Sequence, residues 1–465
     1  MSAPILWIFI PIVVSFFLFF LHNQRFLSVI IGGGTSALLA LFALTFKIDR
    51  VFPLGPLSME ISSTFSVLGR NFIITDNERV IIVILFAMGA FWIFGSQIAG
   101  TNSFFPSIVV AIISLFIAAL SVQPFLYAAF IIEIAVLLSI PIFLQRGQPV
   151  KQGILRFLIF QTLAVPLILF SGWGFEVAPS SVNSEAINRQ SVILLMLGFG
   201  LWLSIFPFHT WLPLLSEDGD PYSAGFIFSM LSTAIFLFFL EFFNTFTWLH
   251  DQQFLFSIVL VLGTIMVSLG GLFAAFQQSI TRLFGYAVMV EIGFSLLALG
   301  LNQEIGWRSY VLILLPRLLG IAICGLAIAN WKKQNFTLGI DSFKGQFYKN
   351  PFSMIGFIVG WFIFCGLPLL PGFPTKYPIL IGVAEINFNL LIFLMLGLFG
   401  LFMAIFRFLA VIFLKSDQTE QIRTENLLQK IFFSIGSILI ILFGLFPGYL
   451  LTPFLIILDA FPNLK

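Results

Sequence analysis

The sequence predicts an all-α, polytopic membrane helical bundle with about 14 transmembrane helices. Three observations carry this reading. Of 465 residues, 60% are hydrophobic and only 9% are Lys, Arg, Asp or Glu, where a soluble domain has roughly 25% charged residues. So few ionised side chains cannot cover a globular surface of this size, and the mean hydropathy is +1.09. Apolar runs of about 20 residues, the length that crosses a bilayer, recur along the whole chain. No ten-residue alternation of apolar and polar positions suggests a β-barrel, which leaves helices as the way to pair backbone in lipid. Water-soluble enzymes and disordered chains are excluded. A net charge of +2 offers no footprint for nucleic acid.

In order, the spans read as 4–22, 27–46, 80–100, 104–122, 125–144, 154–173, 192–208, 222–243, 254–275, 281–300, 308–330, 352–371, 376–414 and 431–458. The first has no basic residue before it and is longer than a signal-peptide core, so it is expected to stay as a helix. The stretch 376–414 reads as a short helix followed by a full one, and 192–243 as two crossings or one heavily broken one. The polar segments 47–79, 174–191, 331–351 and 415–430 are too short to be a soluble catalytic domain. The organisation follows: N-terminal helices over 1–120, a core over 121–415 and a C-terminal helix over 416–465. Basic loops at Arg25, at Arg146 and Lys151, and at Lys332, Lys333, Lys344 and Lys349 fall on one side if every span crosses. The positive-inside rule makes that side cytoplasmic. Cys324 and Cys365 lie in separate apolar runs and read as packing residues. The three histidines have no metal-ligand spacing.

Charges inside apolar spans need a reason, because each costs about 2.5–3.5 kcal/mol at a helix centre. Glu133 sits in AAFIIEIAVLLSI and reads either as a structural hydrogen-bonding group or as a proton-carrying, ion-pairing carboxylate. Glu291, in YAVMVEIGFSLLALG, is similar. Arg317 follows Pro316 in VLILLPRLLGIAICG; it stays protonated and can position a carboxylate or water without relaying a proton. Arg156 lies close enough to a helix start to snorkel, whereas Arg407 lies deeper in LFMAIFRFLAVIFL.

Two segments read as broken helices. One is LWLSIFPFHTWLPLLSEDGDP, with Pro207, Pro213 and Pro221; the other is CGLPLLPGFPTKYP, with Gly366, Pro368, Pro371, Gly372, Pro374 and Pro378. Proline and glycine at this density interrupt the helical ladder, and backbone freed at membrane depth must face protein or a cavity. A break in each half points to inverted repeats with an ion path between them. His209, in the first break, is either a packed side chain or a proton-transfer group. Lys376, after the second, either snorkels or switches protonation inside the membrane.

These segments resemble the antiporter-like membrane subunits of respiratory complex I (NADH:quinone oxidoreductase) and of Mrp-type cation/proton antiporters. Phe206-Pro207-Phe208-His209-Thr210-Trp211-Leu212-Pro213 is similar to the family's LFPFHTWLP signature, and the acidic loop Glu217 to Ser223 follows it as in the family. TRLFGYAVMVEIGFSLLALG is similar to KRLLAYSSIAHMGF through Arg282, Tyr286 and Gly293. Gly366-Leu367-Pro368 to Lys376 is similar to GLPPLAGFFGKF, and LFGLFPGYLL to the last helix; together the likeness covers about residues 120–450. It implies 14 helices with two inverted five-helix units and a hydrated line of charges across the membrane centre, here Glu133, Arg156, His209, Glu291, Arg317 and Lys376. The departures matter. Trp202 and about Ser232 stand where the family has lysines, Thr281 replaces a third, Glu291 a histidine, and Arg317 and Arg156 two further lysines. Switchable groups have become fixed ones, so the first half-channel is expected to conduct poorly.

The expected function is an antiporter-like, proton-translocating subunit of a complex-I-type or Mrp-type assembly in a bacterial inner membrane or an organelle inner or thylakoid membrane. The alternatives are a non-conducting scaffold subunit of the same assembly and a stand-alone cation/proton transporter. A catalytic residue, metal site or cofactor is not expected. With no nucleotide-binding glycine motif and no iron–sulfur cysteines, redox chemistry and quinone would belong to other membrane subunits.

Overall fold

Each polar backbone group in lipid needs a partner within the chain, and the computed structural model shows how the sequence supplies them. It describes residues 2–464 apart from 55–56, 68, 145–146, 148, 181–182, 335–336 and 415–424. A π-helical turn, Ile5–Phe9, leads into α1 (Ile10–Phe20), followed by α2 (Arg25–Thr45), α3 (Arg79–Ala99), α4 (Phe105–Ser121), α5 (Ala128–Ser139) and α6 (Gln152–Val177). Next come α7 (Ser184–Trp202), the short α8 (Trp211–Asp218), α9 (Pro221–Thr245), α10 (Gln253–Phe276), α11 (Ile280–Gly300) and α12 (Glu304–Lys333). The chain closes with α13 (Gln346–Lys349), α14 (Pro351–Cys365), α15 (Gly372–Ile386), α16 (Phe388–Ile412), α17 (Leu427–Leu445) and α18 (Pro447–Leu450). Among the described residues, ten helical segments are long and apolar enough to cross a membrane. Two shorter apolar segments, Ile5–Phe20 and Phe105–Ser121, and the pairs α7/α8 and α14/α15 bring the elements to 14 among the described residues.

The stretch 192–243 is therefore a broken pair followed by a continuous helix, and 376–414 a short helix followed by a full one. The breaks are tighter than the prolines suggested. Irregular backbone occupies 203–207 and 366–371, whereas Pro213 and Pro374 sit in the first turns of α8 and α15, and Pro221 opens α9. A first-turn proline gives up no intrahelical hydrogen bond, so it starts a helix as readily as it ends one.

The polar segment 47–79 is not featureless. It folds into two hairpins. Strand β1 (Val51–Leu54) pairs antiparallel with β2 (Leu57–Glu60). Strand β3 (Thr64–Val67) pairs with β4 (Arg70–Ile73), which also pairs with β5 (Val122–Gln123). The β-branched and aromatic residues of TFSV and RNFI suit a half-buried pleat, and Gly69, at φ +73°, makes the turn between them.

The basic loops gather at one end. Among their residues, His22, Asn23, Val150, Lys332 and Lys333 line a common cavity of about 890 Å³. Their cations cap helix ends: Arg25 donates to Ser96 O (2.8 Å), Lys333 to Gln97 O (3.2 Å), Lys332 to Gly219 O (2.8 Å) and Lys151 to Asp218 O (3.2 Å). Carbonyls at a helix C-terminus carry the negative end of the dipole. Arg146 lies outside the described residues. Arg407, at α16, likewise donates to Ala275 O and to Gln277 O (3.2 Å) past the end of α10.

Helices α9, α11 and α12 are buried along nearly their whole length, while α2, α6, α16 and α17 bury only one stripe. The three inner helices carry Thr233, Glu291 and Arg317. On the outside, α10 and α16 cross backbone to backbone: a Cβ on Gly271 would lie 1.8 Å from Gly397 O, and one on Gly400 2.2 Å from Gly271 O. Close approach of small residues is what holds helices together where lipid removes the hydrophobic drive. Gly271→Ala should therefore lower the thermal stability of the solubilised protein by the equivalent of about 1–3 kcal/mol. Gly34→Ala, where an added Cβ meets nothing within 4 Å, should not. Equal melting curves for the two variants would contradict the crossing.

Candidate functional site

The second break builds the most charged site in the interior. Helix α14 stops at Cys365, and Gly366 takes the left-handed conformation (φ +68°) at its end. Gly366 N donates to Ile363 O (3.0 Å) and Leu367 N to Phe362 O (3.1 Å), which closes the helix as a Schellman motif. Gly372 then starts α15 hard against that end: a Cβ there would sit 2.1 Å from Ile363 O. One turn later Lys376 reaches back across the break. Its ammonium donates to Phe364 O (2.7 Å), Ile363 O (3.1 Å) and Glu291 Oε1. All three donors of the ammonium are used, and the charge rests at the negative end of α14. The Lys376 and Glu291 side chains are 2% and 1% exposed, so Lys376 does not snorkel.

Arg317 lies beside this pair without touching it. Its Nη1 donates to Ser295 Oγ (2.9 Å) and its Nη2 to Thr233 Oγ1 (2.9 Å). Ser295 Oγ in turn donates to Glu291 O (3.1 Å), and Thr233 Oγ1 to Ser229 O (2.7 Å). Glu291 Oε2, Arg317 Nε and the Tyr310 hydroxyl are buried without a protein partner among the described residues. Buried polar atoms of this kind are where ordered water binds.

The first break is built from neutral groups. Helix α7 ends at Trp202, with Ser204 in the left-handed region (φ +59°). Gln161, on α6, donates from Nε2 to Trp202 O (3.1 Å), and Trp202 Nε1 donates back to Gln161 O (3.0 Å). Trp202 is buried between Phe199 and Phe238. His209 stacks on Phe206 (5.4 Å between centroids) and faces Phe273 (6.3 Å). Its Nδ1 is buried without a partner among the described residues, and no described hydrogen bond joins it to Glu291 or Lys376.

Glu133 and Arg156 are not a pair. Arg156 is exposed near the start of α6, the snorkelling arrangement for a long side chain there. The half-buried Glu133 instead accepts from Thr162 Oγ1 (2.7 Å), and its Oε2 is buried without a partner among the described residues. Sequence reasoning missed Thr162, Gln161, Ser295, Thr233 and Tyr310. The Gln161-Thr162 dipeptide inside RFLIFQTLAVP was the visible signal for two of them, and Ser295, one turn from Glu291, for a third.

The family described as NADH:quinone oxidoreductase/Mrp antiporter, transmembrane, matches residues 174–404. Among curated relatives, NADH-quinone oxidoreductase subunit N of Chromohalobacter salexigens is 26% identical over 224 residues, which are 46% of this chain and 45% of that protein. The chain spans about half the length of the curated relatives it matches. Among solved structures, a chain of the Mrp complex from Dietzia sp. superposes with a TM-score of 0.80 at 14% identity, covering 99% of this chain and 97% of that one. A chain of respiratory complex I from Thermus thermophilus with bound NADH gives 0.78 at 17% identity, covering 100% and 99%.

Removing one member of a buried ion pair strands the other. Lys376→Met should cost about 3–5 kcal/mol of stability, and adding Glu291→Leu should restore more than half of it. Thermal unfolding of the solubilised single and double variants measures this; no recovery in the double variant would mean that the two groups are not coupled. The family match over residues 174–404 and the fold across the whole chain agree: the chain is similar to the antiporter-like membrane subunits of NADH:quinone oxidoreductase and Mrp assemblies.

Proposed function

We propose that the protein is an antiporter-like subunit of a complex-I-type or Mrp-type assembly, working beside other membrane subunits, and that it moves protons through its second half. The observation that carries the reading is the buried Glu291–Lys376 pair at the break between α14 and α15. A lysine held by one carboxylate and two carbonyls can give its proton up and regain it, since loss of the proton and protonation of the carboxylate leave no net charge behind. Arg317 supplies a fixed positive field beside the pair. The unpartnered Glu291 Oε2, Arg317 Nε and Tyr310 hydroxyl give water a line of contacts through the interior.

The first half supports conduction poorly. Trp202 and Gln161 tie each other in place. Ser232 spends its hydroxyl on carbonyls of its own helix. Among the described residues Glu133 and His209 have no titratable hydrogen-bond partner, and Arg156 is exposed. Quinone and electron transfer belong to partner subunits in this reading. In a scaffold subunit the Glu291–Lys376 pair would serve only to close the break, and the two roles separate experimentally.

Lys376→Arg keeps the charge and removes the protonation switch. In vesicles reconstituted with the whole complex and normalised to assembled protein, Lys376→Arg should assemble yet lose most of the proton uptake assigned to this subunit. Ser232→Ala should leave uptake near the wild-type level. Unchanged uptake in an assembled Lys376→Arg complex would favour the scaffold.

A further inference from the structure

Between α7 and α10 runs a groove of about 870 Å³ that the proton path does not use. Its mouth, where α7 and α10 both begin, holds Glu185, Asn188, Arg189, Trp248 and Gln252; its walls are apolar side chains of the two helices; its floor is the first break, at Ile205, Phe206 and Phe208. Gly200, also in the lining, lies eleven residues beyond Arg189 on α7. At 1.5 Å per residue that is about 16 Å, roughly half of a ~30 Å hydrocarbon core. The groove is therefore one leaflet deep.

We propose that this groove holds a single zwitterionic phospholipid of the ethanolamine class. Glu185 and Arg189 are one turn apart on the same face of α7, both exposed, and among the described residues they form no ion pair with each other. They present opposite charges at the spacing a phosphate and an ammonium need: the guanidinium takes the phosphate oxygens, and the carboxylate takes the ammonium. Asn188 and Gln252 supply amide donors at the mouth beside the head group, and Trp248 stands where aromatic side chains anchor at a membrane interface. A crossing helix from a partner does not fit, because the groove closes at mid-membrane. A quinone head is neutral and has no use for the paired charges. The acyl ends cover the irregular backbone that lipid cannot otherwise be allowed to reach unshielded, and they rest on Phe206, whose other face stacks on His209.

The test uses the whole complex in vesicles containing phosphatidylethanolamine with a diazirine at the acyl terminus, followed by photolysis and peptide mass spectrometry. The expected product is a crosslink within 198–208, and a diazirine placed near the ester should move it to 189–197 or 248–255. A phosphatidylglycerol probe of the same chain length should label several-fold less. Arg189→Ala, an exposed change, should reduce labelling by up to about fivefold, the range of one interfacial ion pair, and Glu185→Gln should narrow the preference for ethanolamine over glycerol. Met196→Trp, which fills the groove, should abolish the crosslink. Labelling spread evenly over outer helices such as α16, equal labelling by the two head groups, displacement of the probe by equimolar isoprenoid quinone, or protection of 198–208 by a neighbouring chain would each overturn the assignment.

Discussion

A helix that stops inside a bilayer leaves carbonyls that no water reaches, and the contact of Lys376 with the open end of α14 answers that constraint. The residues around the second break are arranged so that this contact can exist. Gly366 turns the chain at the helix end, Gly372 lets α15 begin against Ile363 O, and the next turn delivers the ammonium. The charge so delivered needs a counter-charge, which Glu291 supplies from α11, and that helix is buried on all sides. Ser295, one turn further along α11, ties Arg317 to the same region.

The first break solves the same problem with a different group. The amide of Gln161 caps Trp202 O, and the indole of Trp202 repays the α6 backbone. Both solutions satisfy the backbone, but only the lysine leaves a titratable charge in the interior. The asymmetry between the halves is thus an asymmetry in how two helix ends are closed. The bulk of Trp202 is compatible with a sound fold because the cap on its carbonyl comes from α6.

Much of this was legible in the sequence. The spans, both breaks, Glu291, Arg317 and Lys376 stand out because a charge or a proline in an apolar run has few neighbours to hide among. What was illegible depended on which residues meet. Glu133 reads from sequence as an ion-pairing candidate, and Arg156 lies on the next helix; the depth of each along its helix gives the carboxylate to Thr162 instead. Hydroxyls such as Thr233 and Ser295 carry no charge and look like any small polar residue of a membrane helix until an arginine is found against them. The hairpins of 47–79 went unread because their strands are four residues long, too short for alternation to register.

The crossing of α10 and α16 has a mechanical consequence. Where Gly271 meets Gly397 and Gly400 there are no side chains to rotate or compress, so sliding one helix along the other would drive a carbonyl oxygen into a Cα. Helices α10 and α16 are thereby welded into one stiff plate. The loop from Gly366 to Pro371 offers the contrast: it is irregular backbone, with Leu369 held at φ +73°. The lysine that closes the broken helix is thus carried on the helix that follows this loop, apart from the welded plate.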